Sequence, residues 1–377
     1  MRTGKTVSRR PFLKPNRAVA NFADSFSGSV NALKGLLIII VAMDHNDLLR
    51  AFAPGLFRPL TFHVLGFLLL PFLVPLKPPT VQFIRDRLIR YFVPFWWVLT
   101  FATVIYSVVY RGDEGFATPF VDWLAASVVG SAPLVKVSSG FYYLWFLPSL
   151  AGLVIFLAVY QSLSRRWQTV FVVLSVAAHL AISVFPEGAL RYLPLGPLIV
   201  LWVFPLGLLF RRIMKSAIIF HLRYLVFLAF VASYWYLVLH QQNIEIMTLD
   251  LLSITEPLMF SMQDINAVFG VLTAMWIASK LNGSRLLNAC GHYSLMVYLL
   301  HPLVFFLGMK LSGAAGWGIQ SYALLAAGVI SVALTILVSL VLAIGIARMP
   351  FIRSWVMPKG WDDWAPVRLV SAYRQRA

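Results

Sequence analysis

Lys34 and His45 stand eleven residues apart in the first long apolar run, Ala32-Leu33-Lys34-Gly35-Leu36-Leu37-Ile38-Ile39-Ile40-Val41-Ala42-Met43-Asp44-His45. At about 100° per helical residue this spacing returns to nearly one face, roughly 16 Å further along the axis. Ionisable groups are expensive in hydrocarbon, so a cation and an imidazole on one stripe point to a polar cavity and a functional site inside the membrane. The alternative is a snorkelling Lys at one interface and an ordinary interfacial His at the other. An imidazole takes a proton from an alcohol near neutral pH, which makes His45 a natural general base for acyl transfer. Asp44 and Asp47 flank it and could orient the ring only through the fold, and Asn46 is a candidate donor to a carbonyl oxygen.

Three further constellations carry chemistry. His63 opens the second apolar run, and a helix returning through the membrane would put it at a depth near His45; an interfacial ring bonded to a carbonyl is the bland alternative. Arg87 and Arg90 share a helix face at the mouth of the third run, where guanidinium groups suit the phosphates of a nucleotide-bearing ligand. Topogenic charge or contact with anionic lipid explains them equally well. In the ninth run Gly291, Ser294, Tyr298 and His301 form one polar-edged stripe, with Pro302 expected to kink the helix. Tyr143-Leu144-Trp145-Phe146-Leu147-Pro148 reads as an aromatic belt. No His, Cys or carboxylate set has ligand spacing within a helix, so no metal is expected. The single Cys290 is a small packing residue.

The elements that must position these groups follow from composition. Apolar residues make up 60% of the 377 and charged ones 12%, and the mean hydropathy is +0.81, so this is an all-α integral membrane protein rather than a soluble domain. Apolar runs near 30–48, 57–76, 91–110, 142–162, 168–186, 193–211, 220–240, 264–281, 289–309 and 319–346 predict a bundle of about ten transmembrane helices. The first run begins some thirty residues in and lacks a small-residue cleavage pattern, so it is not expected to be a signal peptide. The chain divides into a basic tail over 1–29, a transmembrane domain over 30–346 and a second tail over 347–377.

Net charge is +17, but the cations sit in short segments between apolar runs, which argues for membrane orientation and against nucleic acid. Arg and Lys crowd the N-terminal tail, the loops after even-numbered spans and the C-terminal tail, while the alternate loops are poorer. By the positive-inside rule both termini are cytoplasmic, in a plasma (bacterial inner) membrane. Glu245, Asp250, Glu256 and Asp264 on the far side are either substrate contacts or solvated loop carboxylates.

Taken in order, these blocks resemble the integral membrane acyltransferase 3 family, specifically its fucose 4-O-acetylase-like branch. The similarity runs through Lys34 to His45, His63 with Phe67 and Phe72, Arg87, Arg90 and Pro94, Trp145 to Pro148, and Ser294, Tyr298, His301 and Pro302. Lys34 stands where the family usually has Arg, and Leu70-Pro71 replaces a usual Ser-Gly. The resemblance implies an O-acyltransferase in which His45 is the essential base, with Asp44, Asn46 and His63 around it. Lys34, Arg87, Arg90, Tyr298 and His301 would then hold the donor, acetyl-CoA, and no cofactor would stay bound permanently. The acceptor would be a hydroxyl on an exported or lipid-linked polysaccharide. Absent a recognisable Ser or Cys nucleophile motif, direct transfer is preferred to an acyl-enzyme. The competing reading is a transporter or flippase for a lipid-linked sugar, with His45 and His301 as binding or proton-relay groups.

Overall fold

A backbone in hydrocarbon has no water to satisfy its polar groups, so each N–H and C=O must be bonded within its own segment, and helices are the open-chain solution. In the computed structural model every described regular element is accordingly helical. The structure describes residues 17–57, 60, 62–73, 78–110, 117–130, 132–140, 142–184, 203–214, 221–239, 257–312 and 322–374. The basic residues between Arg2 and Lys14, and the loop carboxylates Glu245, Asp250 and Glu256, lie outside the described residues.

Four helical segments are long and apolar enough to cross a bilayer: Gly55–Leu73, Val81–Val108, Tyr143–Ser162 and Ala323–Arg348. A fifth crossing arises if Arg285–His292 and Ser294–Leu307, bent by 88° at their junction, form one broken span. The described residues therefore contain four or five candidate spans where apolar runs alone suggest ten. Part of the difference is length: Arg223–Leu239 and Ile265–Lys280 are apolar but shorter. Part is coverage, since much of the run over 193–211 lies outside the described residues.

Nine helices position the site: α1 (Arg17–Asp44), α2 (Asp47–Phe52), α3 (Phe62–Leu69), α4 (Val81–Tyr110), α5 (Phe146–Ser162), α6 (Pro257–Lys280), α7 (Arg285–His292), α8 (Ser294–Ser312) and α9 (Tyr322–Arg348). The hub is α1. Leu33, Leu37 and Val41, with Ile38 and Ala42 beside them, are buried at i, i+4 spacing, and α3, α6, α7, α8 and α9 all pack against this helix. By contrast Val329, Ile330, Leu334, Leu337, Val338 and Val341 of α9 are exposed, a greasy face that suits lipid.

The backbones of α1 and α7 approach closely at Gly35 and Gly291, and glycine permits it. A Cβ on Gly35 would stand 2.0 Å from the Leu287 carbonyl oxygen, and one on Gly291 would stand 1.7 Å from that of Asn31. Reciprocal small residues let two backbones touch, the usual means of packing helices where lipid competes equally for apolar side chains. This contact sets where α7, and hence α8 beyond the bend, sits against α1.

Two expected continuous spans are broken. The run predicted as one helix to residue 48 stops at Asp44; His45 is a turn residue, and the Asn46 side chain accepts the Leu49 N–H to cap α2. Asp and Asn compete with the helical backbone for hydrogen bonds, which is why the polar run Asp44-His45-Asn46-Asp47 ends one helix and starts the next, with Asn46 as the cap. The ninth run likewise breaks at Tyr293, between α7, capped by Ser284, and α8. The stripe from Gly291 to His301 is therefore divided: Gly291 faces α1, while Ser294, Tyr298 and His301 belong to α8.

Candidate functional site

His45 hangs from the turn between α1 and α2, where it is no longer committed to a helix face. His63 comes from the first turn of α3, and His301 from the middle of α8. The three rings meet. His45 and His301 stack with centroids 5.3 Å apart and nearly parallel planes, while His63 stands edge-on to His45 at 6.0 Å. Tyr143 closes the group, 5.6 Å from His45 and 5.8 Å from His301. His63 and His301 are buried, whereas His45 is only partly so.

Hydrogen bonds dictate where the protons sit. The Nδ1 of His301 lies 2.8 Å from the Tyr298 carbonyl oxygen and 3.2 Å from that of Val297. A carbonyl only accepts, so this nitrogen carries the hydrogen, and Nε2 of a neutral His301 is an acceptor. That Nε2 is 3.1 Å from Nδ1 of His45, so His45 donates through Nδ1 and its lone pair is on Nε2. Similarly, His63 Nδ1 donates to the Leu60 carbonyl at 2.8 Å, and its buried Nε2 has no hydrogen-bond partner among the described residues. Backbone carbonyls thus fix the tautomers of two imidazoles directly and of the third through a chain.

Asp44 and Asn46 are both buried and both bonded. The Asp44 carboxylate pairs with Arg50 at 3.1 Å. Asn46 caps α2 with its oxygen, and its amide nitrogen donates to Ser331 Oγ at 2.6 Å, joining the turn to α9. The fold also assembles what helical spacing did not suggest: Asp44, His45 and His63 offer one ligand atom each within 4.8 Å of one another, a set that could hold a metal ion. The Arg50 cation already on Asp44 opposes adding a divalent charge there.

Around Lys34, near the middle of α1, a cavity of about 260 Å³ is lined by Lys34, Arg87, Arg90, Tyr91, Ser294 and Tyr298 together with the apolar Phe67, Leu70, Pro71, Phe146, Leu150 and Val154. Two cations come from one face of α4, which Thr80 caps through the Phe83 N–H, and the third comes from α1. Four of the five residues expected to hold a donor thus share one cavity; the fifth, His301, stands instead against His45. Tyr298 belongs to both regions: it lines the cavity, its hydroxyl donates to the Tyr143 carbonyl, and its ring lies 6.0 Å from His301. Leu70-Pro71 also lines the cavity.

Sequence reasoning missed Arg50 as the partner of Asp44 and Tyr143 as a wall of the histidine group. Arg50 sits six positions beyond Asp44 across a helix break, so no single-helix wheel pairs them. Tyr143 was legible only as one more interfacial aromatic.

A cluster of imidazoles with ordered hydrogen bonds, near a cavity lined by Lys34, Arg87 and Arg90 and by apolar side chains, is fitted to proton abstraction beside an anionic ligand that has an apolar arm. A family model described as an acyltransferase domain matches residues 27–344 of the chain. No curated protein and no solved structure matches it.

Proposed function

The chain belongs to the acyltransferase 3 family, and from that premise we propose that this membrane acyltransferase moves an acetyl group from acetyl-CoA to a hydroxyl of an exported or lipid-linked polysaccharide. Within the family we assign it to the fucose 4-O-acetylase-like branch, on the motif order from Lys34 to His301. Ten spans, with both tails on the cytoplasmic side of a bacterial inner membrane, are the arrangement that the apolar runs and the cation-rich alternate loops support.

One observation carries the reading: the hydrogen-bonded chain from the Tyr298 carbonyl through His301 leaves the basic lone pair of His45 on Nε2. Its neighbour His63 adds a second lone pair, this one buried. An acceptor hydroxyl delivered there loses its proton to His45 Nε2 as its oxygen attacks the thioester carbonyl. The His45 Nδ1–H bond to His301 then stabilises the imidazolium. Collapse of the tetrahedral intermediate breaks the C–S bond, and the imidazolium returns the proton to the departing thiolate, leaving the O-acetyl ester and CoA. Lys34, Arg87 and Arg90 hold the donor's phosphates, and the apolar lining takes the pantetheine arm. Lys34 does so as a point charge, whereas the arginines offer paired donors.

The test is transfer of labelled acetyl from acetyl-CoA to the glycan in membranes carrying wild-type or His45→Ala protein. We expect the variant to bind CoA normally while transfer falls by at least about 10³-fold, near the upper range for loss of a general base. Movement of a lipid-linked sugar with no acetyl-CoA requirement would instead support a transporter.

A further inference from the structure

Beyond residue 344, where the family match ends, the chain turns back onto the helix that carries the cavity arginines. The Trp361 backbone N–H donates to Asp86 Oδ1 at 2.8 Å, and the Arg85 guanidinium lies 4.8 Å over the Trp361 ring. About three turns further along α4, Trp97 Nε1 donates to the Trp355 carbonyl at 2.9 Å. The returning segment is itself braced: Asp363 accepts from Arg353 at 2.9 Å and from the Lys359 N–H at 3.0 Å. Gly360 makes the approach possible, because a Cβ there would meet Asp86 Oδ1 at 2.8 Å.

We propose that this C-terminal clasp, through the Trp361 N–H on Asp86, keeps the Asp86 carboxylate off Arg90 and so preserves the cationic site for the donor's nucleotide phosphates. Asp86 precedes Arg90 by four residues, the spacing and order at which an acid and a base on one helix pair favourably. Arg90 lines the cavity with Lys34 and Arg87. A carboxylate that swung to Arg90 would cancel one of three positive charges and repel an incoming phosphate. The clasp holds that carboxylate against a neutral N–H instead, and it engages Arg85 through Trp361. Asp86 and Trp361 are positioning residues: they touch neither donor nor acceptor. The inference rests on the proposed use of the cavity for a CoA thioester.

The experiment measures binding of CoA, and of pantetheine as a nucleotide-free control, to the full chain in nanodiscs. Gly360→Val displaces Asp86 from the clasp. Trp361→Pro removes the N–H at the first position of a helical turn, where proline is tolerated. Each is expected to weaken CoA about tenfold, the scale of one charge-assisted contact, and to leave pantetheine unchanged. Adding Asp86→Asn to either variant removes the competing charge and restores CoA affinity, a rescue that general loosening of α4 would not give. Equal losses for CoA and pantetheine, unchanged CoA affinity in both variants, or failure of the rescue would overturn the clasp. Normal CoA binding by a wild-type chain that transfers no acetyl group would sink the proposed reaction and leave this inference standing.

Discussion

The two ends of the stretch from Lys34 to His45 hold polar groups in opposite ways. At the histidine end, two rings from helices and one from a turn are locked against each other and against backbone carbonyls; one hydrogen-bonded chain places the protons of His301 and His45, and the Leu60 carbonyl places that of His63. At the cation end, long side chains from α1 and α4 surround space. A proton acceptor must present one nitrogen in one direction, so it needs rigid support. A site for a polyanion needs charge of the right sign at the right distance, and three flexible cations supply it without exact placement. Mutations should therefore separate the two ends: loss of rate without loss of donor affinity at the first, and the reverse at the second.

After His45→Ala, the largest effect is expected from His301→Ala, which removes the acceptor for His45 Nδ1–H. Its kcat should fall about 10²-fold with CoA affinity nearly unchanged, a part of what a general base supplies. A matching loss of CoA affinity would show that His301 serves the donor and would erase the contrast. Next, Arg87→Ala and Arg90→Ala should each raise KM for acetyl-CoA about tenfold at nearly constant kcat, as expected for a charge-assisted contact to phosphate. Substitution by Lys should recover only part of that affinity, because paired donation is lost.

Gly291→Ala acts on the frame that holds both ends. Its Cβ has no room beside the Asn31 carbonyl, so α7 must shift from α1 and carry α8 with it. Thermal unfolding in detergent should report a loss of about 1–3 kcal/mol, the usual cost of overpacking. Transfer should fall more than CoA binding, since His301 rides on α8. The smallest effect belongs to Asn46→Ala. It removes a helix cap and a bond to α9 and should cost about 1 kcal/mol of stability. A much larger loss of transfer in a folded Asn46→Ala protein would instead place this amide among the reacting groups.

Composition and periodicity alone determined that this is a helical membrane protein, that Lys34 and His45 lie eleven residues apart in one apolar stretch, and that Arg87 and Arg90 share a face. Those are local properties: helical pitch and the cost of burying charge act within one segment, so one segment suffices to read them. The break at His45 is not apparent in an apolar run that reads as one helix over 30–48, although Asp44, Asn46 and Asp47 are residue types that favour helix ends. Only tertiary structure decided that His301 is the partner of His45, that Gly35 and Gly291 seat α1 against α7, that Arg50 neutralises Asp44 and that Trp361 holds Asp86. Each is a contact across helices, set by which backbones can approach and which carbonyls face inward. A hydrogen bond specifies a tautomer only when both partners are in place, and residues 256 positions apart come into place only when the bundle is packed.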